Sequence, residues 1–289
     1  MSRINKIIEL LESKQPAYYI GTGDFTYENG KKLSQTYVDY IRLNTEHGPF
    51  DLAGIDAFMR GLIDGGPTKS GHRTPAVIAE LPIDGTDEVT VRCNAWMIKQ
   101  LLALGLHGLI LCHAENPGAV RAFVESARFP FNSIGVGDNL EQGRRGHGGE
   151  DNASNIWGIS KEAYLEKADV WPLNPDGELI LGIKMENKRA LLNAEKTALV
   201  PGIAFGEWGL SDMSMSFGYR KKPDFPLPIE LEEVRTKIWN ACKKAGLYFL
   251  GIVTPDTVTE MIDRGLMLCR PTEEWAVEIG RKYTGKNLS

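Results

Sequence analysis

Eight short apolar runs, separated by helical patterns along a chain of 289 residues, predict an α/β fold: a (β/α)8 TIM-type barrel with an elaborated loop after its fourth strand. Two further observations favour a closed barrel over an open sheet. Several runs are apolar on both faces, as parallel strands covered on both sides should be. The first run is followed only by Gly21-Thr22-Gly23, a fragment of the glycine fingerprint that an open dinucleotide-binding sheet usually carries.

The strand candidates, in order, are 17–21, 38–43, 76–81, 105–112, 179–185, 202–208, 247–253 and 266–269. Each is rich in Ile, Val, Leu or Tyr and short enough to be a strand. Helix candidates lie between them at 52–63, 94–104, 117–127, 188–195, 229–245, 256–264 and 272–283, where apolar residues recur at helical spacing. The segment 131–176 breaks the alternation. It is rich in Gly, Asn and charge, yet holds Trp157, Tyr164 and Trp171, so part of it must pack. It is read as a loop within one domain spanning 1–289.

Composition narrows the function. An apolar fraction of 42% and a charged fraction of 25% suit a globular protein with a sizeable core. A net charge of −5 argues against a nucleic-acid partner. No run has the apolar length to span a membrane. The start, Met1 to Lys6, leads into an amphipathic helix and not into a signal peptide's apolar core, which points to the cytoplasm. Cys93, Cys112, Cys242 and Cys269 show no metal-ligand spacing, and reduced, core-filling thiols are expected.

Barrel enzymes carry their chemistry at the carboxyl ends of strands. Here the second strand ends in Asn44, Glu46 and His47, the third in Glu80, the fourth in His113 and Glu115, and the fifth in Lys184 and Glu186. The sixth leads through Glu207 into Gly209-Leu210-Ser211-Asp212. Glu186 and Asp212, on neighbouring strands, suit a divalent ion held by two carboxylates and water; the same spacing suits two capping acids. The turn at Gly209, Leu210 and Ser211 either presents backbone N–H groups to an anion or simply turns the chain. His47 is a candidate general base. Lys184, on the same strand face as Glu186, is either paired with a carboxylate or a Schiff-base nucleophile. Arg144 on the long loop and Arg92 after the third strand are candidates to reach an anionic substrate.

Four stretches together resemble the HpcH/HpaI family of metal-dependent pyruvate aldolases. They are Asn44-Thr45-Glu46-His47-Gly48-Pro49, Ile98-Lys99-Gln100-Leu101-Leu102-Ala103-Leu104-Gly105, Lys184-Met185-Glu186 and Gly209-Leu210-Ser211-Asp212-Met213-Ser214. The resemblance implies a (β/α)8 barrel, commonly a homo-hexamer. It implies cleavage or formation of 4-hydroxy-2-oxo acids from pyruvate and an aldehyde, with Mg2+ or Mn2+ (Co2+ also being suitable). It assigns Glu186 and Asp212 to the metal, His47 to acid–base work, and the backbone of Gly209–Asp212 to the pyruvate carboxylate. Three positions depart from the family pattern. Asn44 stands for an Asp, Lys184 for a Gln, and the third strand ends in Glu80-Leu81-Pro82 without the family's Arg. Lys184, Arg92 or Arg144 would then steady the enolate. A Schiff-base aldolase using Lys184, and a barrel that binds an oxo acid without turning it over, are the two alternatives.

Overall fold

The computed structural model describes residues 3–285; Met1 and Ser2 of the expected leader into the first helix lie outside them. The elements run α1 (Lys6–Glu12), β1 (Ala17–Thr22), α2 (Tyr27–Leu33), β2 (Tyr40–Asn44), α3 (Leu52–Asp64), β3 (Ala76–Asp84), α4 (Glu88–Cys93), α5 (Ala95–Ala103), β4 (Gly108–Cys112), α6 (Pro117–Ala127), α7 (Glu150–Trp157), α8 (Lys161–Lys167) and β5 (Val170–Trp171). They continue with β6 (Leu179–Lys184), α9 (Lys188–Ala198), β7 (Phe205–Glu207), α10 (Leu210–Ser216), α11 (Ile229–Lys244), β8 (Tyr248–Val253), α12 (Val258–Asp263), β9 (Leu266–Pro271) and α13 (Glu274–Tyr283). All strand pairs are parallel, in the order β4-β3-β2-β1-β9-β8-β7-β6, and β4 pairs with β6 to close an eight-stranded barrel. Among the described residues, no helix is long and apolar enough to cross a membrane.

All eight expected strands are present. Asp51, Asp87, Asn116 and Asn187 begin α3, α4, α6 and α9, each side chain accepting a backbone N–H of the first turn. Pro82 has no N–H to give, and the β3–β4 pairing slips between Glu80 and Asp84. Glu80 is thereby the last β3 residue in regular register with β4. At Gly182 a Cβ would run into the Phe205 ring, so the missing side chain makes room for its neighbour on β7.

The segment expected as a loop folds into α7, α8 and β5, and β5 pairs with the first residues of β6. Trp157, Tyr164 and Trp171 are buried, as their presence predicts: Trp157 stacks on His107 with ring centroids 5.6 Å apart, and Tyr164 is fully covered. A buried Arg128–Asp169 pair at 2.7 Å ties the segment's start to its end. Residues 131–140 stay irregular.

Inside the barrel, the lower layer is apolar. Tyr40, Ile78, Ile110, Ile180, Phe205, Leu250 and Leu268 pack there against Ile7, Ile8, Leu10 and Leu11 of α1. Asn5 fastens α1 in place by donating to the carbonyls of His107 and Glu178, beside the starts of β4 and β6. The helix therefore closes the amino-terminal end of the barrel. Above this layer the interior becomes charged.

Candidate active site

Period-two geometry sends alternate strand residues inward. On β2 this aligns Tyr40, Arg42 and Asn44; on β3, Ile78 and Glu80; on β6, Ile180, Gly182 and Lys184; on β7, Phe205 and Glu207. The upper members of these series meet. Arg42, buried to 6% exposure, pairs with Glu80, lies 2.9 Å from Glu207 Oε2, and donates to the Tyr19 hydroxyl at 2.9 Å. Lys184 Nζ donates to Glu46 Oε2 at 2.6 Å and lies 3.2 Å from Glu80 Oε1 and 3.1 Å from Glu186 Oε2.

This network lies at the floor of a cavity of about 620 Å³ at the carboxyl ends of the strands. The walls include Asn44, His47, Trp208, the turn Gly209–Asp212 and Arg270. Of the residues singled out from sequence, the structure brings His47, Lys184, Glu186, Gly209, Leu210, Ser211 and Asp212 to this cavity. Arg92 and Arg144 do not line it. Arg92 sits on the outer helix α4, paired with Glu88 and Glu125; Arg144 pairs with Glu141 and approaches Glu125. The sequence shows that both follow irregular stretches, but α6, which carries Glu125, draws them to the outside of the barrel.

His47 is 61% exposed at the rim; its backbone N–H donates to Asn44 Oδ1 at 3.2 Å, and its ring lies 3.6 Å from Glu46. Glu186 is the opposite case, with no exposed surface. Its Oε1 accepts the His113 backbone N–H at 3.1 Å. A Cβ at position 209 would overlap its Oε2, so glycine there lets the turn pass directly over the carboxylate. His113 has φ 45°, in the left-handed region that non-glycine residues seldom occupy. Its Nδ1 lies 3.1 Å from Asn187 Nδ2, which also donates to Glu115 at 2.7 Å, while Asn187 Oδ1 caps α9.

A carboxylate oxygen from each of Glu46 and Asp212 and a ring nitrogen of His47 form one set of ligand atoms, all within 4.8 Å of one another. Glu46, His113 and Glu186 form a second such set, and Glu46, Glu80 and Cys112 a third. Glu186 and Asp212, expected to share one ion, thus belong to different sets joined by Glu46. Sequence reading placed Glu46 at the rim but gave it no role.

The electrostatics show a shortage of positive charge. Four carboxyl groups (Glu46, Glu80, Glu186, Glu207) face two cations (Arg42, Lys184), a formal excess of two negative charges when all four are ionised. Glu46 Oε1, Glu186 Oε2 and Glu207 Oε2 are buried and accept no hydrogen bond, although Glu186 Oε2 and Glu207 Oε2 lie within ion-pair range of Lys184 and Arg42. Burial pushes the Glu186 carboxyl up to about 7, against the pull of Lys184 and the His113 N–H, with Glu46 adding to the rise. Glu80 is held below its ordinary value: burial would raise it, but Arg42 and Lys184 outweigh that. Lys184 is held well above its ordinary value, because the groups around it, Cys112 and Glu186 foremost, outweigh the cost of burial. Buried carboxylate oxygens that accept no hydrogen bond, in a cage with more acids than cations, fit a divalent cation bound by oxygen.

A family model for the HpcH/HpaI aldolase/citrate lyase matches residues 52–265. A hydroxypyruvate/pyruvate aldolase of Sagittula stellata is 27% identical over 188 residues, covering 65% of this chain and 60% of the relative. The match thus spans about three fifths of that relative's length. Among solved structures, an HpcH/HpaI aldolase/citrate lyase family protein from Burkholderia cenocepacia superposes with a TM-score of 0.72 at 18% identity, over 98% of both chains. A citrate lyase beta subunit from M. tuberculosis, complexed with oxaloacetate and magnesium, gives a TM-score of 0.55 at 13% identity over 93% of this chain and 96% of the other. With the family model covering well over half of its length, this chain belongs to the HpcH/HpaI aldolase/citrate lyase family.

Proposed function

We propose that the protein is a divalent-metal-dependent carbon–carbon lyase that cleaves or forms 4-hydroxy-2-oxo acids through a pyruvate enolate. The observation that carries this reading is the buried pair of oxygens, Glu46 Oε1 and Glu186 Oε2, that accept no hydrogen bond, within a cage whose carboxylates outnumber its cations four to two. Glu186 and Asp212 would hold Mg2+ or Mn2+ (or Co2+), with Glu46 between them. When bound, the ion supplies Lewis-acid polarisation of a 2-oxo carbonyl and stabilises the charge that develops there.

The chain's own residues supply the rest. The turn at Gly209, Leu210 and Ser211 forms the cavity wall beside Glu186, and its backbone N–H groups would receive the substrate carboxylate. His47, at the rim and 3.6 Å from Glu46, would take the 4-hydroxyl proton as the C3–C4 bond breaks. Trp208, nearly buried in the same wall, helps exclude water. Lys184 would serve as a fixed positive charge near the developing enolate. A Schiff-base role for Lys184 needs the neutral amine, and its carboxylate contacts favour the ammonium. Pyruvate, an aldehyde and a homo-oligomeric state complete the reading.

The test is exchange of pyruvate C3 hydrogens in deuterated water, which needs no aldehyde. Exchange should disappear with EDTA and return with Mg2+ or Mn2+. Glu186→Gln and Asp212→Asn should each lose it by about 100-fold or more while staying folded. Exchange that persists in EDTA, or in both variants, rejects the proposal.

A further inference from the structure

Lys184 contacts acids from three different strand ends: Glu46 after β2, Glu80 on β3 and Glu186 after β6. Its side chain is 6% exposed, so solvent does little to screen these contacts. Of these three acids, Glu46 and Glu186 each keep a buried oxygen that accepts no hydrogen bond, Oε1 of Glu46 and Oε2 of Glu186. The ammonium and a divalent ion therefore draw on the same two carboxylates.

We infer that Lys184 is a resident counter-cation that competes with the divalent ion for Glu46 and Glu186, and so sets how tightly the metal is held. This rests on the reading of the site as a divalent-metal centre. Two effects oppose each other. The ammonium gathers the acids, which favours a metal; it also repels a second cation a few ångströms away, which disfavours one. Repulsion should dominate, because the Glu186 carboxylate has an independent holder in the His113 N–H and like charges at such range in a buried site interact strongly. In the metal-free form the same ammonium relieves repulsion among the acids.

Mn2+ binding to the full chain, measured by calorimetry for the wild type, Lys184→Gln, Lys184→Met and Lys184→Arg, tests this. Both neutral variants should bind Mn2+ about tenfold tighter or more, melt earlier than wild type in EDTA, and gain more from saturating Mn2+. Lys184→Arg, which keeps the charge, should stay close to wild type. A neutral variant that folds only with Mn2+ supports the inference, since the metal then replaces the ammonium; one that stays unfolded in saturating Mn2+ overturns it. Wild-type binding with equal or weaker binding by the neutral variants overturns this inference alone and leaves the metal reading standing. Binding by the neutral variants but not the wild type supports it. Binding by none overturns both.

Discussion

The backbone N–H of His113 donates to Glu186 Oε1 at 3.1 Å, from a residue with φ 45°. The left-handed turn after β4 thus aims a main-chain donor at a buried acid of the next barrel strand, β6. Asn187 braces this turn, with its amide 3.1 Å from the His113 ring and donating to Glu115. Asn187→Ser keeps an oxygen able to cap α9 but loses both amide contacts. Metal affinity should fall about 10- to 100-fold, with the loss of stability confined to about 1 kcal/mol or so. Calorimetry and denaturant unfolding on the same variant separate the two effects.

Gly209→Ala introduces a methyl group where Glu186 Oε2 lies. The barrel has no other reason to unfold, because this turn is at its rim. We expect at least a tenfold loss of Mn2+ affinity and of pyruvate exchange, with a melting temperature within a few degrees of wild type. Normal affinity would show that the turn can lift away from the carboxylate.

Arg42 is the positive end of a buried pair of ion pairs, to Glu80 and Glu207. Arg42→Met strands Glu207 and leaves Glu80 with Lys184 alone, and removing one partner of a buried ion pair typically costs about 3–5 kcal/mol. Arg42→Met combined with Glu207→Leu leaves Glu80 with Lys184 and should recover part of that loss. Urea unfolding of the single and double variants reads both values.

Acid stability has its own determinant in His107. Its Nδ1 accepts the Val77 N–H at 3.1 Å, and burial pushes the imidazole down to about 3. The folded state therefore keeps this ring neutral while the unfolded chain protonates it below about pH 6.5. The sign follows: this contribution is full above about pH 6.5 and is lost as pH falls toward 3, at up to about 1.4 kcal/mol per pH unit. His107→Gln, which can keep an acceptor for Val77, should flatten the stability curve between pH 6 and 4. An unchanged slope would assign the acid sensitivity to other groups.

The barrel was readable because each strand is a short apolar run and each major helix has a clean period; α6 begins and ends at the expected residues, 117 and 127. Less was readable where polarity hides order. α7 and α8 lie in a stretch dominated by Gly, Asn and charge, and only Trp157 and Tyr164 betray their packing. The positions of Glu186 and Asp212 on the cavity wall follow from strand order. Arg42 is easily hidden in sequence, inside the run Tyr40-Ile41-Arg42-Leu43. The signal was there: a guanidinium in a covered parallel strand needs buried acids, and period two aligns it with Asn44. Arg92 and Arg144 could not be placed from sequence, because nothing local states which side of a helix layer a loop will follow.

Helix α1, fastened by Asn5 across the starts of β4 and β6, has a kinetic corollary. It corks one end of the barrel, so that, among the described residues, the charged floor is approached from the carboxyl ends of the strands. A molecule seated on the charged floor must enter before a companion that occupies the threshold, and it must leave after it. For a two-reactant condensation this imposes an order of arrival and a reversed order of departure, legible in product-inhibition patterns.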